Sequence, residues 1–569
     1  MDIVERKFTP SVALKLVREG VHPVVARALA ARGVTEASQA MGRRSQLLPY
    51  SALKGAQEAA QILADAIEQG KHLRIVADYD ADGATACTVG LRALRAFGAK
   101  VDFIIPDRKK HGYGLKPPIV QEALAVSPRP DMLITVDNGI ASLEGVAEAN
   151  RHGVPVLVTD HHLPGPTHPD AIAIVNPNQH GCTFPSKALA GCGVIWYVMW
   201  ALQDELIDRG IAQADPLFDV DSLLPIVAVG TVADVVKLDD NNRILVNEGL
   251  QLIRSAPTFP GIEFLAKVAG KDPRLLSTSD IGFGIGPRIN AAGRLESMNE
   301  GVETLTTDSN SVAQQLAESL NGTNNRRKEI EGEIVEEAVR RLLTDVQADR
   351  FTAVLHGAEW EEGVIGIVAS RLKERIYRPT FIMATNEAGQ FKGSGRSIPG
   401  FHLRDALDQV DRACPGLMVA FGGHAMAAGV TVREGGLEQF RQAFEEVARK
   451  MLTPADLNQT LEVDGSLGVD EMCLDTVAVI RKQVWGQGFL EPVFYDRFTV
   501  ADARPIGGGK HLKMRLLKDG RIFDAVRFRY EDAPPAKDAV LAVAYKMDAN
   551  RFRDETNLQL LVETFAVTH

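Results

Sequence analysis

Short apolar runs alternate with helical segments through the first third of the chain. Helical patterns near residues 84–97, 119–126 and 143–152 separate the first four of five runs that are rich in β-branched residues. These five runs predict strands at residues 73–77, 101–105, 132–136, 154–158 and 171–175. Strands that alternate with helices at this spacing predict a parallel, doubly wound sheet.

The whole chain shows five successive patterns, and its 569 residues are too many for one hydrophobic core. We therefore predict a multi-domain α/β protein with a helical cap, the parallel-sheet domain, a connecting helix, a second α/β domain and an all-β OB-fold. Their predicted bounds are residues 1–65, 66–300, 301–348, 349–455 and 456–569. Within the connecting segment, residues 311–344 predict a long, charged helix that is interrupted at residues 321–325.

Three carboxylates at alternating positions follow the first predicted strand. Asp78, Asp80 and Asp82 lie in the hexapeptide Asp-Tyr-Asp-Ala-Asp-Gly. Carboxylates this close together hold either protons or a cation, and oxygen ligands suit Mg²⁺, Mn²⁺ or Ca²⁺. The hexapeptide begins like an EF-hand loop, but Val89 stands where the bidentate glutamate is needed, and a strand replaces the first helix. The hexapeptide alone leaves open an acidic turn exposed to water.

Further polar residues follow the later predicted strands. Asp137 comes after the third strand, and Asp160, His161 and His162 come after the fourth. Parallel strands bring their carboxyl ends to one edge of the sheet, where ligands bind. A single aspartate after a strand can instead cap a helix. Aspartates after three strands, with paired histidines among them, favour a metal site.

These motifs resemble the DHH phosphoesterase superfamily. The resemblance rests on 78–83, on Val-Asp-Asn-Gly-Ile at 136–140, on Asp-His-His at 160–162 and on Ala-Asp-Val-Val at 233–236. Two later stretches, Gly-Ser-Gly-Arg-Ser at 393–397 and the glycine-rich stretch 422–429, resemble the domain associated with it. Over nearly the whole chain, the similarity is to bacterial exonucleases of this superfamily that are specific for single-stranded DNA.

The resemblance implies a two-metal phosphodiesterase that uses two divalent cations, Mn²⁺ or Mg²⁺. Asp137 would bridge the ions, with one ion facing Asp78 and Asp80. The other ion would face three ligands: Asp82, His161 and Asp234. His162 would approach the scissile phosphate, and Asp160 would orient a histidine.

The resemblance also implies residues that contact the DNA or its 5′-phosphate. They are Arg108, Tyr113, Arg288, Asn290, Arg294, Ser370, Ser394, Arg396, Gly422, Gly423 and His424. Three of them lie in the stretch 281–294, which is too glycine-rich for a helix interior and could alternatively be a domain hinge. Residues 363–370 are predicted to begin a helix. Its first backbone amides are not crowded by side chains, which suits a bound phosphate. We expect the glycine-rich stretches of the associated domain to line a cleft opposite the metals, with Arg396 and Arg108 reading the strand end.

Charge and composition sharpen this interpretation. The net charge is −11, yet residues 504–529 hold eight basic and two acidic residues, interleaved with Phe523, Phe528 and Tyr530 nearby. Basic grooves with aromatic side chains bind single strands. Five cysteines without a C-x-x-C pair indicate a reducing cytoplasm and no structural zinc. The chain opens without a signal-peptide pattern, and its apolar run at residues 194–202 is too short for a membrane span.

We therefore predict a cytoplasmic, monomeric exonuclease that degrades single-stranded DNA from the 5′ end to mononucleotides in recombination and repair. The resemblance suggests single-strand-binding protein and a helicase as partners. An alternative is a DHH phosphodiesterase for dinucleotides or short oligonucleotides, which the basic β domain disfavours. A second alternative is a replication scaffold that has lost its metal ligands, which the complete ligand set disfavours.

Overall fold

A computed structural model describes residues 2–108, 110–255, 257–345, 349–530, 532–552 and 555–568. The chain divides into two compact units. The larger unit comprises Glu5–Gly293, Ser297–Asn321 and Glu462–His569. The smaller unit comprises Arg294–Glu296 and Gly322–Leu461, together with the N-terminal residues up to Val4.

The segment before the first sheet is helical apart from one short strand. Its elements are β1 (Asp2–Glu5), α1 (Pro10–Arg18), α2 (Pro23–Ala30), α3 (Ala37–Ala40) and α4 (Ala56–Glu68). Proline stands in the first turn of α1 and of α2, where its missing N–H costs no helical hydrogen bond. This helical character agrees with the predicted cap.

The predicted parallel sheet is confirmed, with five strands in the order β3-β2-β4-β5-β6. The strands are β2 (His72–Ala77), β3 (Lys100–Ile104), β4 (Met132–Val136), β5 (Val156–Thr159) and β6 (Ala173–Val175). The helices between and after them are α5 (Ala81–Ala96), α6 (Pro117–Ala125), α7 (Leu143–Arg151), α8 (Gly191–Asp208) and α9 (Leu224–Ala233). All five residues of β4 are buried, which is typical of a strand covered on both faces.

Helices continue the larger unit after α9. They are α10 (Asp240–Ser255), α11 (Pro260–Val268), α12 (Thr278–Asp280), α13 (Gly286–Leu295), α14 (Asn299–Thr306) and the start of α15 (Asn310–Asp345). A π-helical turn, Ile281–Ile285, joins α12 to α13. Within the described residues, none of the helices combines the length and apolar character that a membrane span needs.

Two predictions about this region are wrong. The glycine-rich stretch 281–294 is helical, and Gly293 lets its helix pack closely on the Tyr79 backbone, since a Cβ there would lie 1.8 Å from the Tyr79 carbonyl oxygen. The long helix α15 is not interrupted at residues 321–325. Polar side chains there find partners that a helix alone lacks, since Asn321 accepts a hydrogen bond from Arg288 at 3.0 Å.

The smaller unit has a mixed sheet in the order β10-β11-β9-β8-β7, which agrees with the predicted second α/β domain. Its strands are β7 (Ala353–His356), β8 (Thr380–Thr385), β9 (Phe391–Arg396), β10 (Met418–Gly423) and β11 (Ala427–Val432). Its other helices are α16 (Ile365–Ile376), α17 (Leu403–Ala413) and α18 (Leu437–Met451). In this sheet β7 and β8 are parallel, whereas the other neighbouring strands are antiparallel.

The predicted OB-fold is confirmed as a closed barrel in the order β13-β14-β15-β17-β16. The C-terminal elements are β12 (Thr460–Val463), α19 (Leu474–Lys482), β13 (Phe494–Ile506), β14 (His511–Lys518), β15 (Arg521–Phe528), β16 (Val540–Phe552) and β17 (Glu555–Val567). Trp485 and Phe489, which precede the barrel, are buried in the same hydrophobic core as the parallel-sheet helices. The five domain bounds stay a prediction, and residues 346–348 of the predicted connecting helix lie outside the described residues.

Candidate metal centre and nucleic-acid-binding residues

The loop between β2 and α5 carries the first three acidic side chains. Asp78 follows β2 and is buried, as is Asp82 in the first turn of α5. Asp80 is the N-cap of α5, because its Oδ1 accepts hydrogen bonds from the amides of Asp82 and Gly83 at 2.9 and 3.0 Å. At Asp80 the capping interpretation therefore holds, and it leaves the second carboxylate oxygen for another partner.

The first turn of α8 holds Asp82. The amides of Gly191 and Cys192 donate to its two carboxylate oxygens at 2.5 and 2.9 Å. A Cβ on Gly191 would lie 2.6 Å from the Asp137 Cβ, so only glycine lets α8 begin this close to the centre. Sequence reasoning missed these residues, because no local motif marks them.

The remaining acidic groups meet around one histidine. Asp137 follows β4 with a left-handed φ of 61°, and Asp234 follows α9. Nε2 of His161 lies 3.1 Å from Oδ1 of Asp137 and 3.6 Å from Oδ2 of Asp234.

The structure brings the predicted metal ligands together in three overlapping groups, in each of which the ligand atoms lie within 4.8 Å of one another. The groups are Asp78, Asp80 and Asp137; Asp82, His161 and Asp234; and Asp137, His161 and His162. Asp137 belongs to the first and third groups, and the third group shares His161 with the second. The bridging role of Asp137 stays a prediction.

The electrostatics of the centre favour bound cations. Burial, reinforced by the neighbouring carboxylates, raises the pKa of Asp82 to about 6 and of Asp234 to about 7. The same two causes raise the pKa values of Asp78 and Asp137 well above the ordinary range. Burial and the neighbouring His162 lower the pKa of His161, which keeps its imidazole neutral and able to bind a metal.

Unsatisfied oxygens point the same way. Oδ1 of Asp78, Oδ1 of Asp137 and Oδ2 of Asp234 are buried and accept no hydrogen bond from the described residues. A buried carboxylate oxygen without a hydrogen bond is costly, so a bound cation would stabilise these atoms. Carboxylates with one imidazole fit Mn²⁺ or Mg²⁺.

His162 differs from His161 in its surroundings. Its Nδ1 lies 2.8 Å from Oδ1 of Asp160 and 2.9 Å from the Tyr113 hydroxyl. Burial is the largest single effect and opposes the charged imidazole, but the hydrogen bond to Asp160 and the charges of the surrounding carboxylates together outweigh it and raise the pKa of His162 to about 9. Burial would raise the pKa of Asp160, yet the hydrogen bond to His162, the two neighbouring histidines and the Ile140 amide together lower it. These surroundings favour the protonated imidazole, which suits a hydrogen-bond donor.

Two asparagines hold the histidine pair, and sequence reasoning missed both. Nδ2 of Asn176 donates to the His162 carbonyl at 2.9 Å, and Nδ2 of Asn178 donates to the His161 carbonyl at 2.6 Å. Asn176 directly follows β6. A search for polar residues after the fifth strand, like that made after the others, could have found them.

Two predicted DNA contacts on α13 and one in the loop after β3 have partners within the protein. Oδ1 of Asn290 accepts the Ala81 amide at 2.9 Å and so supports the loop of acidic residues. Arg288 is buried, and its guanidinium donates to Gly284, Val268 and Asn321. Arg108 lies over the Tyr79 ring at 5.1 Å. Their contacts with DNA stay predictions, and for Asn290 and Arg288 the structure shows a supporting role.

In the smaller unit, Arg396 lies beside the first turn of α16. Its Nη1 donates to Oγ of Ser394 at 3.2 Å. A Cβ on Gly366 would lie 2.9 Å from that Oγ and 3.1 Å from Nη2 of Arg396. Arg294 donates to the Gly363 carbonyl at 3.0 Å, just before the same helix. A helix N-terminus with two arginines close by suits an anion.

The strand register extends this group. Ser394 on β9 is paired with Gly429 on β11, which is paired with Gly422 on β10. Gly423 and His424 continue from Gly422 into the turn between these strands. Ser370 lies on α16.

The basic and aromatic residues in the N-terminal half of the barrel differ in their partners and in their burial. Arg504 and Lys513 stand directly opposite each other on β13 and β14, a like-charge pair that an anion would relieve. Lys518 is instead bound to Asp496 at 2.5 Å. Phe523 is buried in the barrel core, whereas Phe528 is 53% exposed.

Three family models match the chain. The DHH family N-terminal domain matches residues 72–231, the DHHA1 domain matches residues 348–450, and the RecJ OB domain matches residues 463–564. These ranges include the motifs at 78–83, 136–140 and 160–162, both glycine-rich stretches of the smaller unit and the barrel.

Similar proteins span nearly the same length. The chain is 42% identical over 557 residues to the single-stranded-DNA-specific exonuclease RecJ of Salmonella typhimurium, which covers 95% of each sequence. The crystal structure of RecJ from Thermus thermophilus in complex with Mn²⁺ matches with a TM-score of 0.82 and 29% identity, covering 100% of this chain and 79% of that chain. The complex with Mg²⁺ matches with a TM-score of 0.77 and 28% identity, covering 100% and 78%.

Proposed function

The chain belongs to the RecJ family of exonucleases, and we propose that it hydrolyses single-stranded DNA from the 5′ end to mononucleotides in recombination and repair. The observation that carries the proposal is the convergence of six predicted ligands into groups whose ligand atoms lie within 4.8 Å. We assign two cations, Mn²⁺ or Mg²⁺, to these ligands. When bound, the cations would activate water and neutralise charge on the phosphodiester.

The chain's own residues have separate tasks in this proposal. Asp137 would bridge the two cation sites, because it shares a ligand group with Asp78 and Asp80 and its Oδ1 lies 3.1 Å from Nε2 of His161. His162, held protonated by Asp160, would donate to a phosphate oxygen and stabilise negative charge there. Tyr113 limits the rotation of that imidazole through its hydroxyl contact.

The smaller unit supplies a candidate for reading the strand end. A 5′-phosphate has more charge and more acceptor oxygens than an internal diester, and arginine binds it through paired hydrogen bonds. Arg396, Ser394 and the first turn of α16 form such a group. We propose that they bind the terminal phosphate and so set the 5′ polarity.

One assay tests the proposed function. The full chain with Mn²⁺ is incubated with end-labelled single strands, duplexes and dinucleotides, and we expect mononucleotides from the single strands alone. Asp137→Ala should leave less than a few per cent of this activity, whereas Asp170→Ala, at an exposed carboxylate, should leave it intact. Hydrolysis of dinucleotides in preference to strands would favour a short-oligonucleotide phosphodiesterase instead.

The proposal extends to partners and location. Duplex must be opened before a single-strand enzyme can act, which supports a helicase and a single-strand-binding protein as partners. All five cysteines are free, which is the state that a reducing cytoplasm maintains. Sedimentation of the purified chain would test the proposed monomer, and pull-down with purified single-strand-binding protein would test that partner.

A further inference from the structure

We propose that Phe283 is a stacking platform for a base of the DNA strand close to the metal centre, an inference that rests on the proposed function. Its side chain is 86% exposed, at the middle of the π-helical turn Ile281–Ile285. Exposing a phenylalanine forgoes the free energy of burial, and π turns are frequent at functional sites. A nucleobase would cover the ring while the strand is bound.

The π turn is built against the helix that ends at Asp234. A Cβ on Gly282 would lie 3.6 Å from Cγ1 of Val232, and a Cβ on Gly286 would lie 3.0 Å from the Cβ of Ala233. Phe283 thus directly follows Gly282, which contacts Val232 of α9. Val232 in turn lies two residues before Asp234 in the chain. Backbone spacing then puts Phe283 within about 15 Å of the metal centre.

Both ends of the turn are anchored. Asp280, directly before the turn, forms ion pairs with Nζ of Lys271 and Nη2 of Arg481, each at 2.8 Å. At the other end, Nη1 of the buried Arg288 donates to the Gly284 carbonyl at 2.6 Å. The ring is therefore presented on a fixed backbone, which reduces the conformational entropy lost on binding.

The flanking glycines leave the ring uncrowded. Neither Gly282 nor Gly284 has a positive φ, so the backbone does not demand glycine. A Cβ would meet only Val232 at 3.6 Å or Ala269 at 3.4 Å, so packing does not demand glycine either. What their absent side chains provide is space beside Phe283. Stacking on an aromatic face accepts every base, as an exonuclease requires.

The test measures binding of single strands in EDTA, where hydrolysis is blocked, to the full chain. The strands carry one abasic position, moved stepwise from the 5′ end. Wild-type protein should bind worst when the base over Phe283 is missing. Phe283→Ala should weaken binding of the intact strand by about 5- to 100-fold and abolish that positional dependence. Phe283→Trp should retain both the affinity and the positional dependence, whereas Phe283→Leu should lose them.

Leu217→Ala is the matched control, because Leu217 is 95% exposed but remote. The amide of Asp215, two residues before it, donates to the carbonyl of Ala96 at the C-terminal end of α5. The metal loop is at the other end of this 16-residue helix, about 24 Å away. Leu217→Ala should bind strands like wild type.

An abasic profile of Phe283→Ala that matches the wild-type profile would overturn the inference, as would an equal loss of affinity in Leu217→Ala. Unchanged strand binding would point to a protein as the occupant of this ring and equally overturn it. A different result would refute the proposed function alone. In that case the wild-type chain would show the Phe283-dependent binding profile but would release no nucleotides with Mn²⁺.

Discussion

Replacing Asp234 by asparagine is expected to stabilise the metal-free protein and to abolish hydrolysis. Asp234 lies among carboxylates, and its Oδ2 is buried without a hydrogen bond from the described residues. An asparagine at this position would keep the shape of the side chain and remove its charge. The substitution therefore separates the cost of holding a carboxylate there from the function that needs it.

The magnitude follows from the pKa of Asp234, which burial and Asp80 raise from 3.8 to about 7. A rise of this size corresponds to about 4 kcal/mol, and 21% side-chain exposure reduces the expected gain to about 2–4 kcal/mol. Because the folded state holds the proton more tightly, stability is lost as pH rises from about 4 to about 7. The variant should gain nothing near pH 3 and most above pH 7.

Urea denaturation in EDTA between pH 3 and pH 8 measures this difference for wild type and Asp234→Asn. Asp170→Asn, at an exposed carboxylate, is the control and should follow wild type. Mn²⁺ should stabilise the wild-type protein and should stabilise Asp234→Asn much less. Wild-type and Asp234→Asn curves that run parallel across pH would refute the electrostatic reasoning.

Three further predictions concern other parts of the chain. Asn290→Ala removes the acceptor for the Ala81 amide and should weaken Mn²⁺ binding by about 10- to 100-fold in a metal titration; a change in strand affinity alone would instead make Asn290 a DNA contact. Arg396→Ala should lose most of the preference for 5′-phosphorylated over 5′-hydroxyl strands, about 1.5–3 kcal/mol, and equal loss on both would assign it to an internal phosphate. Arg504→Ser combined with Lys513→Ser should lower the slope of log K against log salt by about 1.4, and an unchanged slope would remove this pair from the DNA path.

Much of the metal centre could be predicted from sequence, because the two relevant patterns are local. Apolar, β-branched runs specify strands, and β4 spans residues 132–136, as predicted. Parallel strands then align their carboxyl ends, so Asp78, Asp137 and His161 approach one another once β2, β4 and β5 are neighbours.

The tertiary structure decided which partner each side chain has. Arg288 and Asn290 are polar residues in a glycine-rich stretch. Their residue types alone are equally compatible with a contact to DNA and with a contact inside the protein. The structure commits them to Asn321 and Ala81. Likewise, the glycines of 281–294 signal a break in the helix by propensity, yet the stretch is helical, and Gly293 permits close contact with the Tyr79 backbone. Propensity is a property of neighbouring residues, whereas a hydrogen-bond partner or an approaching backbone comes from a segment distant in the chain.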